Sequence, residues 1–202
     1  MSRPAELVLA STSVYRRELL SRLGVLFRCV APRLDEASLD TKGREPAEIA
    51  TLLALGKASS IAPIEPSATI IGSDQIVAIE GRTLGKPGLR DRAVAQLLEL
   101  SGRTHELITA VAVLKAKEPF QEVPSSWLHT DITRMTMRAL SRDEIERYVD
   151  HENPFDCAGS YKFEARGIVL FEKVETDDPS AITGLPLMAL VNFLRSIGHA
   201  VP

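Results

Sequence analysis

The stretch Leu7-Val8-Leu9-Ala10-Ser11-Thr12-Ser13-Val14-Tyr15-Arg16-Arg17 passes from four apolar residues to three hydroxyl residues and then to paired arginines. The apolar run is a short buried strand, and Ser11-Thr12-Ser13 is the residue chemistry of a helix N-cap. A helix then runs to about Leu23 and stops at Gly24. A strand that feeds a helix directly is the repeating step of α/β proteins. It also leaves the free N–H groups of the helix start, and the positive end of its dipole, facing whatever lies beyond the strand.

Outward from this point the chain alternates between the two periodicities. Pro46 suits a first helical position, and Ile49, Leu52 and Leu53 follow at helical spacing. Ala68-Thr69-Ile70-Ile71 and Ile76-Val77-Ala78-Ile79 are strand-like, with Gly72-Ser73-Asp74-Gln75 predicted to interrupt them and Gly81 to mark a turn. A helix is predicted from about Asp91 to Leu100, ended by Gly102. Thr104 to Leu114 and Trp127 to Ala139 are two long β-branched stretches joined by the polar segment from Lys115 to Pro124, a predicted hairpin. Ser141-Arg142-Asp143-Glu144 is a capping box, Ile168 to Phe171 a predicted strand, and Pro186 to Ile197 a final helix before Gly198. Alternating helices and strands with one antiparallel hairpin predict an α/β fold with a mixed sheet.

The chain has 202 residues, 45% hydrophobic and 25% charged, with net charge −3. That is one globular domain, or one domain with two lobes, able to bury a core without staples. The acidic balance argues against a nucleic-acid binder, which usually carries a dense basic face. A small anion, needing only local cations, remains compatible. Cys29 and Cys157 fit no metal or redox spacing and are expected to be ordinary buried thiols. No run reaches the ~20 apolar residues of a membrane span, and Met1 to Ala10 lacks a signal-peptide core. The expected location is the cytoplasm.

Four constellations could carry chemistry. Ser11 and Ser13, with Arg16 and Arg17 in the first turns, are the parts of a phosphate cradle; the plain alternative is an N-cap followed by solvated arginines. Lys57 stands on the apolar face of its helix, four residues after Leu53, and either snorkels to water or points its ammonium into a cleft. Asp74 with Gln75 sits inside an apolar run, where a carboxylate needs a partner or a metal; the alternative is a bulge or turn. Asp35-Glu36 and the rigid turn Gly85-Lys86-Pro87 are weaker members of the same set. Ala158-Gly159-Ser160-Tyr161-Lys162-Phe163-Glu164 admits close approach of a ligand and ends in a carboxylate that could read a base, or is simply a loop leading to a strand. The four histidines are scattered and form no metal-ligand pair.

Taken in order, Leu9-Ala10-Ser11-Thr12-Ser13 with Arg16 and Arg17, then Glu36, Lys57-Ala58, Gly72-Ser73-Asp74, Gly85-Lys86-Pro87, Ala158-Gly159-Ser160-Tyr161 and Gly184-Leu185-Pro186 resemble the Maf family over nearly the whole chain. Each motif is weak alone. The resemblance implies an elongated Maf/ITPase-like α/β fold, with a central mixed β-sheet, flanking helices and a cleft between two lobes, in a chain that is often dimeric. It implies a nucleoside triphosphate pyrophosphatase that cuts between the α- and β-phosphates with a divalent cation, Mg²⁺ or Mn²⁺. Asp74, Lys57 and Glu36 would be catalytic, Asp74 and Glu36 would hold the metal, and Ser11, Ser13, Arg16 and Lys86 would bind phosphate.

Tyr15, Gln75 and Glu164 differ from the Arg, Thr and Gln of the branch acting on dTTP and UTP, and resemble the branch acting on 7-methyl-GTP. That branch more often carries Trp where Tyr15 stands. Methylation at N7 makes guanine cationic, so an aromatic face and a carboxylate suit it. Competing expectations are the same reaction on dTTP, UTP or a damaged purine triphosphate, and a non-catalytic regulator of cell division that binds nucleotide.

Overall fold

The computed structural model describes residues 5–115 and 125–201. Most of the polar connector, residues 116–124, lies outside the described residues, as does the start of Met1 to Ala10. Seven strands and five α-helices are present among them. In chain order they are β1 (Leu7–Ala10), α1 (Val14–Ser21), β2 (Phe27–Val30), α2 (Pro46–Ile61), β3 (Thr69–Ile79), β4 (Arg82–Leu84), α3 (Arg90–Leu100), β5 (Thr104–Leu114), β6 (Ser126–Met137), α4 (Arg142–Glu152), β7 (Phe171–Glu175) and α5 (Leu187–Ser196).

The sheet runs β2-β1-β3-β5-β6-β7, with β4 beside β3. β1 is parallel to both neighbours, Leu7 standing opposite Phe27 and Thr69. β3 with β4 and β6 with β7 are antiparallel, so the sheet is mixed, as expected. Lys115 N–H donates to Ser125 O at 3.0 Å, which holds β5 and β6 together at the connector. No helix among the described residues is long and apolar enough to cross a membrane.

The chain divides into two compact units. The first comprises Met1–Asp74, Thr109–Asp131 and Asp178–Pro202, the second Gln75–Ile108 and Ile132–Asp177. In the first unit β1 is covered on both faces, which is why its four residues are all apolar. Leu7 and Leu9 join Leu19 and Leu20 of α1 and Leu190 and Leu194 of α5 in one cluster. Val8 and Ala10, on the opposite face, join Ala58 and Ile61 of α2.

Three sequence expectations need correction. β3 is not interrupted: residues 72–75 continue it. Gly72 is there because α2 lies against it. A Cβ on Gly72 would stand 2.2 Å from Ala54 O and 2.8 Å from Ala58 N, so the strand needs a glycine that mimics a breaker. The run Ile168 to Phe171 is not a strand up to its last residue. Arg166–Leu170 is a 3-10 turn with Ile168 and Val169 exposed, and β7 begins at Phe171. Gly167 starts the turn because its N–H bonds Lys162 O at 2.9 Å, in a space no Cβ could enter. Cys29 is an exposed thiol on the edge strand β2, and Cys157 is half-buried, its thiol pushed up to about 12 by burial.

The second unit packs α3 through Ala93, Val94, Leu97 and Leu100 and α4 through Ile145, Tyr148 and Val149. The predicted capping box forms: Ser141 Oγ accepts from Glu144 N–H while Glu144 accepts from Ser141 N–H. His105 on β5 is 2% exposed and lies against Tyr161 and Phe171. Tyr161 donates its hydroxyl to Met135 Sδ, so the His105 Nε2–H donates to Tyr161 Oη at 3.0 Å and Nδ1 is left without a partner. Burial holds this imidazole down to about 4.

Two stability outcomes follow from these contacts. Gly72→Ala should cost about 3 kcal/mol, at the upper end for overpacking because the clash is with backbone. Urea unfolding measures it, and an unchanged midpoint would mean that α2 does not lie on Gly72. For His105, the unfolded chain takes up a proton near pH 6.5 that the folded chain refuses until about pH 4. Stability is therefore full above about pH 6.5 and falls as pH drops toward about 4, by on the order of 3 kcal/mol. Urea midpoints between pH 7 and pH 4.5 should fall more steeply for the wild type than for His105→Phe; parallel slopes would remove the imidazole as the cause.

Candidate active site

The site of the first unit is built from four short pieces. After β1 the chain turns tightly, Ser11 N–H donating to Leu9 O at 2.9 Å. Ser11 is buried, and its Oγ accepts from Ser13 N–H at 3.1 Å. Ser13 is the N-cap of α1, accepting from Arg16 N–H at 3.4 Å. The hydroxyl run thus acts as the predicted cap, and the start of α1 opens beyond the strand end. Tyr15, in the first turn, is 40% exposed.

Arg16 does not extend into water as a solvated arginine would. It is half-buried, and its Nε donates to Gly184 O at 2.9 Å. Ser73 Oγ lies 2.8 Å from the same oxygen and 2.8 Å from Ala110 O, its single hydrogen serving the two carbonyls. Gly184 has φ +106°, a conformation that favours glycine, and a Cβ there would approach Arg16 Nε to 3.3 Å. Burial draws the Arg16 pKa below its ordinary value while the charges of Asp74 and Glu36 pull the other way; the group stays cationic.

Lys57 takes the second of its two predicted courses. Its ammonium lies between two carboxylates, in a short contact with Asp74 and 3.0 Å from Glu36 Oε1. The Lys57 and Asp74 side chains are each only 12% exposed, Glu36 55%. Asp74 therefore pairs with a charge and is not the cap of a bulge. Glu36 is delivered by a 3-10 turn, Glu36–Ser38, which Asp35 caps by accepting from Ala37 N–H at 3.1 Å. Asp35 serves the turn and Glu36 the site.

The second unit carries the other predicted residues. Gln75 follows Asp74 on β3, where successive side chains alternate in direction. Lys86 is exposed in the turn after β4, beside the buried Pro87. Glu164 is exposed, five residues beyond Gly159. Sequence reasoning missed Ser73 as the partner of Gly184, and Gln96, whose Nε2 donates to Gly85 O at 2.9 Å and whose Oε1 accepts from the Ser160 hydroxyl. Neither has a local signal; a serine in a strand and a glutamine on a helix acquire meaning only through partners far along the chain.

Two carboxylates close to an ammonium and a guanidinium, next to an open helix start, can hold phosphate oxygens, a hard cation and a water at once. Among the described residues no group of three or more His, Cys, Asp or Glu converges.

Comparison with known proteins agrees with the residues. A 7-methyl-GTP pyrophosphatase of Xanthomonas axonopodis pv. citri is 45% identical over 197 residues, covering 97% of this chain and 98% of that protein. Proteins of the same name from Bdellovibrio bacteriovorus (44% identical, 95% of this chain and 96% of that one) and Aromatoleum aromaticum (45%, 99% and 100%) are similar over comparable spans. Among solved structures, the Staphylococcus aureus Ham1 protein matches 66% of this chain and 72% of its own at 14% identity and a TM-score of 0.44, a likeness confined to part of the backbone. The family model for Maf-like proteins matches residues 6–197. With that span and these relatives, the chain belongs to the Maf family.

Proposed function

We propose that this chain hydrolyses 7-methyl-GTP to 7-methyl-GMP and pyrophosphate. The observation that carries the reaction is Lys57 held between Asp74 and Glu36, with the half-buried Arg16 charge in the same field. The activity for which these relatives are named supports the substrate.

A triphosphate carries more charge than one lysine balances. Arg16 and the start of α1 at Ser11 and Ser13 would bind phosphate oxygens, and the family resemblance offers Lys86 as a further phosphate-binding cation. Lys57 would exchange a carboxylate for a phosphate oxygen as substrate enters, its flexible stem and compact point charge suiting the task. Asp74 and Glu36 fit Mg²⁺ or Mn²⁺, because such sites use one or two carboxylates and complete their shell with substrate oxygens and water. A cation bound there would neutralise the departing pyrophosphate and acidify water. Asp74 takes the proton of the attacking water. The water oxygen bonds to the α-phosphorus, the bond from that phosphorus to the α,β-bridging oxygen breaks, and pyrophosphate leaves.

The base is chosen by different residues. The exposed ring of Tyr15 can stack on the cationic 7-methylguanine, and Glu164 can accept from its N1–H and N2–H₂ edge. Gln75, the remaining member of the trio, would contact substrate as an amide in place of a hydroxyl.

Asp74→Asn should lower kcat at least about 100-fold, the scale for losing a catalytic base. Pyrophosphate release under saturating substrate measures it, and near-normal turnover would sink the assignment. Glu164→Gln should lower kcat/KM for 7-methyl-GTP about tenfold, the weight of one charge-assisted hydrogen bond, and leave dTTP and UTP hydrolysis unmoved. An unaltered kcat/KM for 7-methyl-GTP, or a chain that prefers dTTP or UTP, would overturn the base assignment and leave the hydrolysis.

A further inference from the structure

Gln96 stands on α3, half-buried beside the core residue Leu97, and its amide has two partners from distant parts of the chain. Nε2 donates to the carbonyl of Gly85, the residue before Lys86, at 2.9 Å. Oε1 accepts from the hydroxyl of Ser160, in the loop that leads to Glu164. The amide has only one workable orientation: turned over, it would set its oxygen against the Gly85 carbonyl, acceptor against acceptor.

Ser160 is itself unusual. It is fully buried and has φ +62°, a left-handed conformation that a non-glycine residue keeps only when its surroundings enforce it. Its neighbour Gly159 has φ +71°, and a Cβ there would meet the Tyr161 ring at 2.9 Å and Val77 at 3.0 Å. Beyond it, Lys162 N–H donates to Tyr148 Oη at 3.0 Å, and Lys162 O accepts from both Ala165 N–H and Gly167 N–H. Glu164 is thus presented by a turn fixed at Lys162, and Gln96 grips the segment just before it. The Lys86 turn and the loop also share a backbone bond, Gly88 N–H to Phe155 O at 3.0 Å, which persists whatever stands at position 96.

We propose that Gln96 is a positioning residue that couples Lys86 to Glu164, so that the fit of the phosphate tail and the fit of the base depend on one another. This rests on the reading that Lys86 and Glu164 touch the nucleotide. Gln96 touches neither reacting atoms nor substrate. Its loss therefore weakens binding of the correctly oriented nucleotide and spares the hydrolytic step.

The test is kinetics of 7-methyl-GTP hydrolysis by the full chain carrying Gln96→Leu, which keeps the bulk and removes both hydrogen bonds. KM should rise about fivefold while kcat stays within about twofold. A fall in kcat with unchanged KM would overturn the proposal. Lys86→Ala and Glu164→Gln are then combined, once with Gln96 present and once with Gln96→Leu. With Gln96 present the two effects on kcat/KM should be non-additive by at least about threefold, and with Gln96→Leu that interaction factor should shrink toward one. An equal interaction factor in both backgrounds would refute the coupling even though each residue binds substrate. No effect of Glu164→Gln alone, with Gln96 intact, would instead mark failure of the base contact. If Gln96→Leu folds poorly, Gln96→Glu serves. It keeps the acceptor for Ser160 and repels Gly85 O, so it should reproduce the loss of coupling; wild-type coupling in that variant would refute the proposal.

Discussion

The contact between Lys57 and Asp74 is the demand that shapes the first unit. Removing two charges from water costs several kcal/mol per ion, and the cost is recovered only if the partners meet closely. Close meeting requires α2 to lie on β3 with no side chain between them. Gly72 provides that, and Ala54 and Ala58 provide it from the helix side. Lys57 precedes Ala58, and Asp74 follows Gly72 by two residues on the same face of the strand, so the approach that excludes a Cβ is the approach that joins the charges. Between them Ser73 faces the other way, toward Gly184 and Ala110. Three consecutive residues thus fix α2, the Gly184 turn and, through that turn's carbonyl, the guanidinium of Arg16.

This arrangement leaves the charges poised. Lys57, Asp74 and Glu36 together sum to one negative charge, with Arg16 close by to balance it. On the proposed reading, an entering triphosphate would compete with the carboxylates for the ammonium, and Asp74 and Glu36 would then be available to hold a divalent cation. No group has to be created or ionised for this exchange; partners are traded. That is the electrostatic preorganisation on which phosphoryl chemistry depends.

Residues whose meaning is local were legible in the sequence. The N-cap at Ser13, the helix start at Pro46, the capping box at Ser141 and the placement of Lys57 on an apolar helix face all follow from spacing within a few residues. Where tertiary packing decided, local signals misled. Gly72-Ser73-Asp74 has the composition of a breaker, yet each residue is set there by partners 14 or more positions away. The short strands β2 and β4 offered too few residues for a periodicity to register. Gly-Ile-Val-Leu at 167–170 has strand composition, but the carbonyl of Lys162 captured its first amide and turned it into a 3-10 helix. Lys57 and Asp74 stand out as charges in apolar settings, Ser11 and Arg16 as a hydroxyl and a cation at a helix start, and Glu36 chiefly through the family resemblance, whereas Gln96 has no such contrast.

The two sets of residues also differ in what carries them. Lys57 and Asp74 are on a long helix and a long strand, and Arg16 is in the body of α1. Lys86 and Glu164 are on turns held by hydrogen bonds that other side chains could supply. Tyr15, Gln75 and Glu164, by which this chain departs from the dTTP and UTP branch, include none of the three residues assigned to hydrolysis. Of the proposed substrate contacts, Lys86 and Glu164 stand on such turns, whereas Tyr15 and Gln75 share α1 and β3 with Arg16 and Asp74. Moving Asp74 would disturb the burial of Lys57 and hence the packing of α2, while changing Glu164 alters an exposed carboxylate and little else. Of the proposed contacts to the base, the one at Glu164 can therefore change at least cost to the core.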